Sequence, residues 1–471
     1  MKKGFSEALS FFHKTAGDTP AYAQFLSSNN VDPRTIQSEE DFIRLPTVSK
    51  KNYLNAYPYR TLFPNEQIPT TISASSGSSG VPFFWPRGHH QDIDGGMVHE
   101  RIFREIFQIH EKRTLVIVCF AMGSWIGGTF TKSACEWVAE QEGYHLSVAT
   151  PGIEMDDVMR VLQHLAPFFE SVVIAGYPPF VMDVVHTASA QQISLQSYDL
   201  HFLLAGENFS DDWRIALHSV AGIQCTYTSS VTIYGTADAG VLGHETPGTQ
   251  YLRILIYNTS ELANLLNVIF GFSPSVVQYD ETKRFFEVDD GMLLFTADAG
   301  LPLIRYTIGD SGQLFEKDRI VDVVRSVCGD DEANRLEQLL WDCPIIILGQ
   351  RYDVSASFYA LNIYPEHIYM ALSSEELLPF VTGKFMVDVQ SINDHKDQHL
   401  IIHVELKYNV VEEESLLERT HHKITEYLER HNAEYHKLRK ELGERARAHV
   451  VFHPHGDEQF IIKHAKHKRI Q

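Results

Sequence analysis

The sequence predicts an α/β protein with a large N-terminal domain of mainly parallel, helix-covered sheets and a small α+β C-terminal domain. Three observations support this class. From about residue 98 to 204, strand-like apolar segments alternate with helix-like segments, which is typical of a parallel sheet covered on both faces. Between about 241 and 315 the strands shorten and predict an antiparallel β subdomain. Beyond Arg351 the pattern changes again, so we expect domains at 1–350 and 351–471.

The N-terminal elements follow from apolar spacing and from punctuation by proline, asparagine and glycine. The first sixty residues predict short helices separated by turns. The alternating region then predicts helices over residues 98–109, 132–140, 155–165 and 179–187, and strands over 115–120, 172–175 and 202–204. In sheets of this kind the ligand-binding loops follow the carboxyl ends of the strands.

The C-terminal elements predict a β-β-α-β unit. Residues 401–407 alternate strictly, with Ile402, Val404 and Leu406 on one face, as in a half-buried strand. The stretch that follows predicts one long amphipathic helix, whose apolar stripe consists of Leu417, Ile424, Leu428, Tyr435 and Leu438. A last strand is expected over 450–452.

Composition limits the classes of function. The 471 residues carry a formal charge of −21, from 40 basic and 61 acidic side chains, which disfavours binding to nucleic acid or to anionic membranes. The five cysteines form no C-x-x-C pair, so we expect neither a disulfide framework nor a structural zinc site. The most apolar stretch, residues 114–128, is too short to span a bilayer, and no long apolar run follows the start. A cytoplasmic protein is expected.

A loop of small residues is the first candidate for a functional site. Glycine- and serine-rich loops leave backbone N–H groups uncovered and place hydroxyls beside them, which suits them to binding phosphate oxygens. A flexible linker is the alternative, but the apolar segments that flank this loop closely disfavour it. The loop consists of Ser75, Ser76, Gly77, Ser78, Ser79 and Gly80.

Four further stretches place polar residues after apolar segments. Each could be an ordinary turn or surface pair, and their order along the chain is what carries the argument. They contain Gly206 and Glu207; Tyr234, Gly235, Thr236 and Asp238; Asp310; and Arg351 and Asp353.

That order resembles the adenylate-forming superfamily of acyl-CoA synthetases and adenylation domains, and within it the phenylacetate-CoA ligase family. The resemblance covers essentially the whole chain. It also rests on Thr-Pro-Ala-Tyr at 19–22, Ala-Gly-Tyr-Pro-Pro at 175–179, Pro-Leu-Ile-Arg-Tyr at 302–306 and Ala-Lys-His-Lys-Arg-Ile at 465–470.

The resemblance implies a role for each candidate residue. The loop from Ser75 to Gly80 would close over the β- and γ-phosphates of ATP. Gly206 and Glu207 would floor the adenine and substrate site, Tyr234, Gly235 and Thr236 would bind the nucleotide, Asp238 would help to hold Mg²⁺, and Asp310 would bind the ribose hydroxyls. Arg351 and Asp353 would form the hinge between the domains, and Lys466 would be the catalytic lysine.

The implied activity is ATP- and Mg²⁺-dependent conversion of a carboxylic acid to an acyl-adenylate, followed by thioester formation with CoA. An aromatic or medium-sized apolar acid is expected, because Phe120, Trp125 and Tyr177 follow strand ends where the family builds its acid pocket. The resemblance also suggests a homodimer. Phe83 follows Pro82 where a lysine would add charge, so Mg²⁺ and Lys466 would have to offset the phosphate charge.

Two alternatives stay open. The acyl group could pass to a carrier protein or an amine instead of CoA. The chain could also be a catalytically degenerate regulator that binds nucleotide without turnover, since Ala237 stands where the family usually has a hydroxyl residue.

Overall fold

The computed structural model describes residues 4–74, 83–268, 273–351, 356–358, 361–363, 365–392 and 397–460. Of the predicted site, the loop from Ser75 to Gly80, Asp353 and Lys466 lie outside these residues. Of Arg351 only the backbone is described.

The N-terminal segment is helical, as predicted, and packs on the later β region. Its helices are α1 Phe5–Asp18, α2 Pro20–Ser28 and α3 Glu39–Phe42. The rings of Phe5 and Phe42 meet edge to face with centroids 5.7 Å apart, and both contact Phe285. A small antiparallel pair follows, formed by β1 Thr71–Ala74 and β2 Phe84–Arg87.

Within the described residues, one sheet of eleven strands forms the centre of the molecule. Its strands are β3 Arg113–Cys119, β4 His145–Ala149, β5 Ser171–Gly176, β6 Asp199–Ala205, β7 Ser230–Thr236, β8 Gly240–His244, β9 Val276–Gln278, β10 Phe285–Asp289, β11 Met292–Asp298, β12 Pro302–Phe315 and β13 Ile345–Arg351. Their order is β10-β11-β12-β13-β9-β8-β7-β6-β5-β3-β4. The pairs from β4 to β7 are parallel and those from β7 to β10 are antiparallel.

Helices cover this sheet as the alternation predicts. They are α4 His89–Arg101, α5 Ile126–Ala139, α6 Met155–His164, α7 Pro178–Ala190, α8 Asp211–Ala221, α9 Pro247–Asn258, α10 Ser260–Leu265, α11 Lys317–Cys328 and α12 Asp330–Leu339. Leu115 and Ile117 on β3 face the core of α6, α7 and α8. Val116 and Val118, which alternate with them, face the core of α4 and α5. The α/β class is confirmed, and the antiparallel strands prove to continue the parallel sheet.

The C-terminal part is α+β and contains β14 Ala356–Phe358, β15 Leu361–Ile363, α13 Pro365–Leu372, β16 Val381–Ile392, β17 Asp397–Leu406, α14 Glu414–His431, α15 Ala433–Leu442 and β18 Ala448–His453. Strand β17 pairs antiparallel with β16 and parallel with β18. The prediction of one long helix is wrong, because the backbone of Asn432 is extended (φ −126°, ψ 97°). The Asn432 side chain accepts a hydrogen bond from the Tyr435 backbone N–H at 3.0 Å and so begins α15.

A buried ion pair joins the C-terminal part to the main sheet's helices. Lys384 on β16 donates a hydrogen bond to Asp183 on α7 at 2.5 Å, and its Nζ lies 3.5 Å from a Glu405 oxygen on β17. Helix α7 begins directly after Tyr177, so this contact lies one helix away from the carboxyl ends of the parallel strands.

No helix in the described parts of the chain is long and apolar enough to cross a membrane.

Candidate active site

A cavity of about 190 Å³ lies at the carboxyl ends of β5, β6 and β7, beneath α4 and α5. This is the edge of a parallel sheet at which α/β proteins bind their ligands. Most of the wall is aromatic or aliphatic. It consists of Ala74, His99, Phe120, Ala121, Trp125, Ile126, Gly127, Phe130, Thr131, Tyr177, Leu203, Ala205, Gly206, Ile233, Gly235, Thr236, Ala237, Gly240 and Val241.

Glycines set the shape of this cavity. A Cβ on Gly95 of α4 would lie 2.5 Å from the Phe130 ring of α5, so the glycine lets the ring close the wall. Gly206, directly after β6, has φ +102°, a backbone conformation that a residue with a side chain rarely adopts. Next to it, Glu207 accepts a hydrogen bond from the Tyr177 hydroxyl. The ends of β5 and β6 are thereby tied together at the cavity.

An aromatic ring and a carboxylate stand together beside the cavity. The Tyr234 hydroxyl at the end of β7 donates a hydrogen bond to Oδ2 of Asp310 at 2.7 Å. Asp310 lies in β12 after Gly309, whose φ is +87°, and opposite the backbone of Arg351 in β13. A carboxylate has about four lone-pair positions, so Asp310 can accept from a ligand while it holds Tyr234.

The turn between β7 and β8 presents a second carboxylate, Asp238. It accepts a hydrogen bond from the Tyr306 hydroxyl at 2.5 Å, and its other oxygen lies 3.4 Å from Lys50 Nζ. Burial, followed by the charge of Asp238, raises the pKa of Tyr306 well above its ordinary value. The Arg87 guanidinium donates to the backbone carbonyl of Ala237 at 2.6 Å, and burial lowers the Arg87 pKa only to about 10, so this residue stays charged at neutral pH.

The residues present fit a magnesium ion that is held mainly by a substrate. Mg²⁺ commonly takes one or two protein carboxylates together with phosphate oxygens and water. Asp238 offers one such carboxylate at the edge of the cavity. Among the described residues, no group of three or more His, Cys, Asp or Glu side chains is arranged to hold a metal on its own.

A buried network fixes the base of the β7–β8 hairpin. Both Glu245 oxygens accept hydrogen bonds from Arg214, at 2.7 and 2.9 Å, and one also accepts from Arg253 at 3.2 Å. The Thr232 backbone N–H donates to the same carboxylate at 2.9 Å. Since Arg214 lies on α8 and Arg253 on α9, the network ties two helices to the strands that carry the site.

The structure brings most of the predicted residues to one place. Phe120, Trp125, Tyr177, Gly206, Gly235 and Thr236 line the cavity. Glu207, Tyr234 and Asp238 each adjoin a wall residue in the chain, and Asp310 is hydrogen-bonded to Tyr234. Their chemical roles stay predictions. The sequence reasoning missed Lys50, Arg87, His99 and Tyr306. Tyr306 ends a stretch that supported the resemblance, whereas Lys50, Arg87 and His99 carry no motif.

Comparison with known proteins agrees with the resemblance found in the sequence. No family model matches the chain. A phenylacetate-coenzyme A ligase from Thermus thermophilus is 23% identical over 296 residues, which cover 62% of this chain and 60% of that ligase. The chain thus matches less than two thirds of the length of this curated relative.

Solved structures show the same fold. A 2-hydroxyisobutyryl-CoA ligase in the postadenylation state superposes with a TM-score of 0.65 and 16% identity, over 99% of this chain and 88% of that one. An acyl acid amido synthetase gives a TM-score of 0.60 and 14% identity, over 96% and 86%. An anthranilate CoA ligase gives 0.51 and 13%, over 81% and 63%. The chain therefore shares the fold of these three enzymes.

Proposed function

We propose that this chain activates a carboxylic acid with ATP to an acyl-adenylate and then transfers the acyl group to the thiol of CoA. A carboxylate oxygen of the acid would attack the α-phosphorus of ATP, and pyrophosphate would leave. The thiol sulfur would then attack the acyl carbon, and AMP would leave. The observation that carries the proposal is an apolar, acid-sized cavity beside the hydrogen-bonded pair of Tyr234 and Asp310.

The acid end of the site accepts a small or medium-sized apolar group. A cavity of about 150 Å³ is large enough for benzene. The volume of about 190 Å³ here therefore suits one ring with a short substituent. Phe120, Trp125 and Tyr177 supply the aromatic wall that such a group would contact.

We assign the nucleotide to the polar residues beside the cavity. Asp310 would accept hydrogen bonds from the two ribose hydroxyls, and the Tyr234 ring would lie against adenine. Asp238 would hold Mg²⁺, which supplies positive charge where the acid carboxylate and the phosphates meet. Lys50, 3.4 Å from Asp238, adds a cation at the same place.

The remaining roles rest on the sequence resemblance. The loop from Ser75 to Gly80 would cover the outer phosphates, and Lys466 would approach the α-phosphate. A domain of residues 351–471 would then turn about Arg351 and Asp353 to admit the thiol.

The acceptor has a second candidate. An acyl acid amido synthetase is among the proteins that share the fold, and such an enzyme passes its acyl group to an amine. An amine would attack the same acyl carbon and release the same AMP. Product analysis with CoA, with amino acids and with a carrier protein separates these acceptors.

The first prediction is that Lys466→Ala abolishes most adenylation. The wild-type chain, ATP and Mg²⁺ are incubated with a panel of acids, and hydroxylamine traps the acyl-adenylate as a hydroxamate. Removing a cation that offsets charge on the α-phosphate should lower the rate by about 100-fold or more. Lys468→Ala, which changes a neighbouring lysine, is the matched control and should keep the wild-type rate.

Two results would contradict the proposal. Failure of every acid to release pyrophosphate with the wild-type chain would rule out adenylation and favour the degenerate regulator. Equal rates for the two lysine variants would remove Lys466 from the mechanism.

A further inference from the structure

A buried histidine lies at the inner end of the cavity. His99 is on α4 and is 1% exposed, and the neighbouring wall residues Leu203 and Ile233 are 1% and 7% exposed. Gly206 and Thr236, each three residues further along the chain, are half-buried. Burial of the cavity wall therefore increases from Gly206 and Thr236 toward His99.

The hydrogen bonds of His99 fix its tautomer. Its Nδ1 lies 2.8 Å from the backbone carbonyl oxygen of Gly95, which can only accept, so Nδ1 carries the proton. Burial lowers the pKa of His99 to about 4, which keeps the ring neutral at pH 7. A neutral ring has one N–H, so Nε2 is an acceptor. No described residue forms a hydrogen bond with Nε2.

Among the described residues, the cavity wall supplies no donor for this nitrogen. The hydroxyl of the wall residue Thr131 donates to the Gly127 carbonyl at 2.8 Å within its own helix, and that of Tyr177 donates to Glu207. His218 is also buried without a described hydrogen-bond partner, but it stacks on Phe202 in the core and does not line the cavity. The position of His99 on a cavity wall is what distinguishes it.

We propose that Nε2 of His99 accepts a hydrogen bond from a hydroxyl or amino group on the substrate acid, at the end farthest from its carboxylate. This inference deepens the proposed function and rests on it. The reacting carboxylate must lie near the strand ends, so the opposite end of the acid meets His99. A donor there satisfies a buried acceptor that an unsubstituted ring would leave unpaired. A second carboxylate at that end of the acid is disfavoured, because a carboxylate and Nε2 are both hydrogen-bond acceptors.

The test compares acids that differ by one donor. Phenylacetate is assayed against its three hydroxyphenylacetate isomers, and benzoate against its hydroxy- and aminobenzoate isomers, by hydroxamate formation. For the wild-type chain, we expect kcat/KM for the best donor-bearing acid to exceed that of its unsubstituted partner by about 10- to 100-fold. In His99→Phe that ratio should fall to about 1 or invert, mainly through KM.

Controls separate this role from folding. His218→Phe removes an equally buried histidine away from the cavity and should keep the wild-type preference. His99→Gln keeps an acceptor and should retain part of the preference, and it serves if His99→Phe does not fold. Calorimetric titration of the paired acids into the wild-type chain and His99→Phe measures the same preference without turnover.

The outcomes distinguish the two proposals. If acids are activated but the unsubstituted ones are preferred, or if His99→Phe leaves the ratio unchanged, the role of His99 is overturned and the ligase function stands. If no acid is activated, the ligase function fails. The calorimetric preference then decides about His99 alone: equal binding of the paired acids overturns its role.

Discussion

The β7–β8 hairpin carries a buried carboxylate at each end, and the two are held differently. At the base, Glu245 accepts hydrogen bonds from Arg214, Arg253 and the Thr232 backbone and is 1% exposed. At the tip, among the described residues, Asp238 accepts one hydrogen bond from Tyr306 and faces Lys50 at 3.4 Å. The carboxylate at the base is thus paired with two buried arginines of the same fold.

The two carboxylates therefore differ in role: Glu245 stabilises the fold, whereas Asp238 is the better candidate for contact with a ligand. Glu245 has both oxygens committed to arginines that are themselves buried, so it joins helices to strands. Asp238 has one oxygen hydrogen-bonded to Tyr306 and the other in a single ion pair with the half-exposed Lys50, so it is held by fewer and weaker contacts than Glu245. Substitutions at the two ends should therefore have opposite effects on stability and on activity.

The largest effect is expected at the base. Glu245→Gln leaves two buried guanidinium groups without their main counter-charge, and breaking such a network costs about 3–5 kcal/mol of the free energy of unfolding. Urea unfolding of the variant and of the wild-type chain measures this loss of stability. Glu136→Gln is the control, because Glu136 is exposed and its pair with Lys132 contributes less than about 1 kcal/mol. Equal losses for the two variants would show that the base network does not stabilise the hairpin.

A substitution at the tip should change stability little and activity strongly. Asp238→Asn can still accept from Tyr306 and loses only the pair with Lys50, so the free energy of unfolding should fall by less than it does for Glu245→Gln. If Asp238 holds Mg²⁺ as proposed, adenylation should fall by about 100- to 1000-fold and need more Mg²⁺. Hydroxamate formation across a magnesium titration checks this. An unchanged rate and an unchanged magnesium dependence would remove Asp238 from the site.

The class of the fold was predictable, because the apolar pattern of each segment depends on whether it is buried as a strand or as a helix. The alternation of the two patterns then indicates an α/β sheet. The sheet order was not, since β9 lies between β8 and β13, and its partner Ile346 in β13 is far from it in sequence. The break at Asn432 was also missed. The apolar stripe stays in phase across α14 and α15, so its periodicity gives no sign that the backbone of one residue between them is extended.

The site was predictable where residue order carries information and not where burial does. Gly206, Tyr234 and Asp310 were found from their order along the chain. His99 was missed, because His89 and His90 precede it in the same helix and only the packing of α4 makes His99 buried while they stay exposed. Local sequence cannot show which of these histidines faces a cavity.

The smallest effect again concerns the base of the hairpin, which carries a buried histidine where the tip has none. Burial, opposed by a hydrogen bond to the Glu245 backbone carbonyl, lowers the pKa of His244 to about 4, against about 6.5 in an unfolded chain. As pH falls below 6.5 the unfolded state takes up a proton that the folded state does not, so this contribution to stability is full above 6.5 and is lost toward pH 4.

By pH 5 the loss amounts to about 2 kcal/mol for this residue. His244→Phe keeps a ring against Trp341 and removes the titration, so its free energy of unfolding should fall less than that of the wild-type chain between pH 7 and pH 5, by about that amount. Urea unfolding at the two pH values measures the difference, with the exposed His110→Phe as control. If His244→Phe loses as much stability on acidification as the wild-type chain, His244 is already protonated in the folded state, and the base of the hairpin is less firmly closed to water than Glu245 and its arginines indicate.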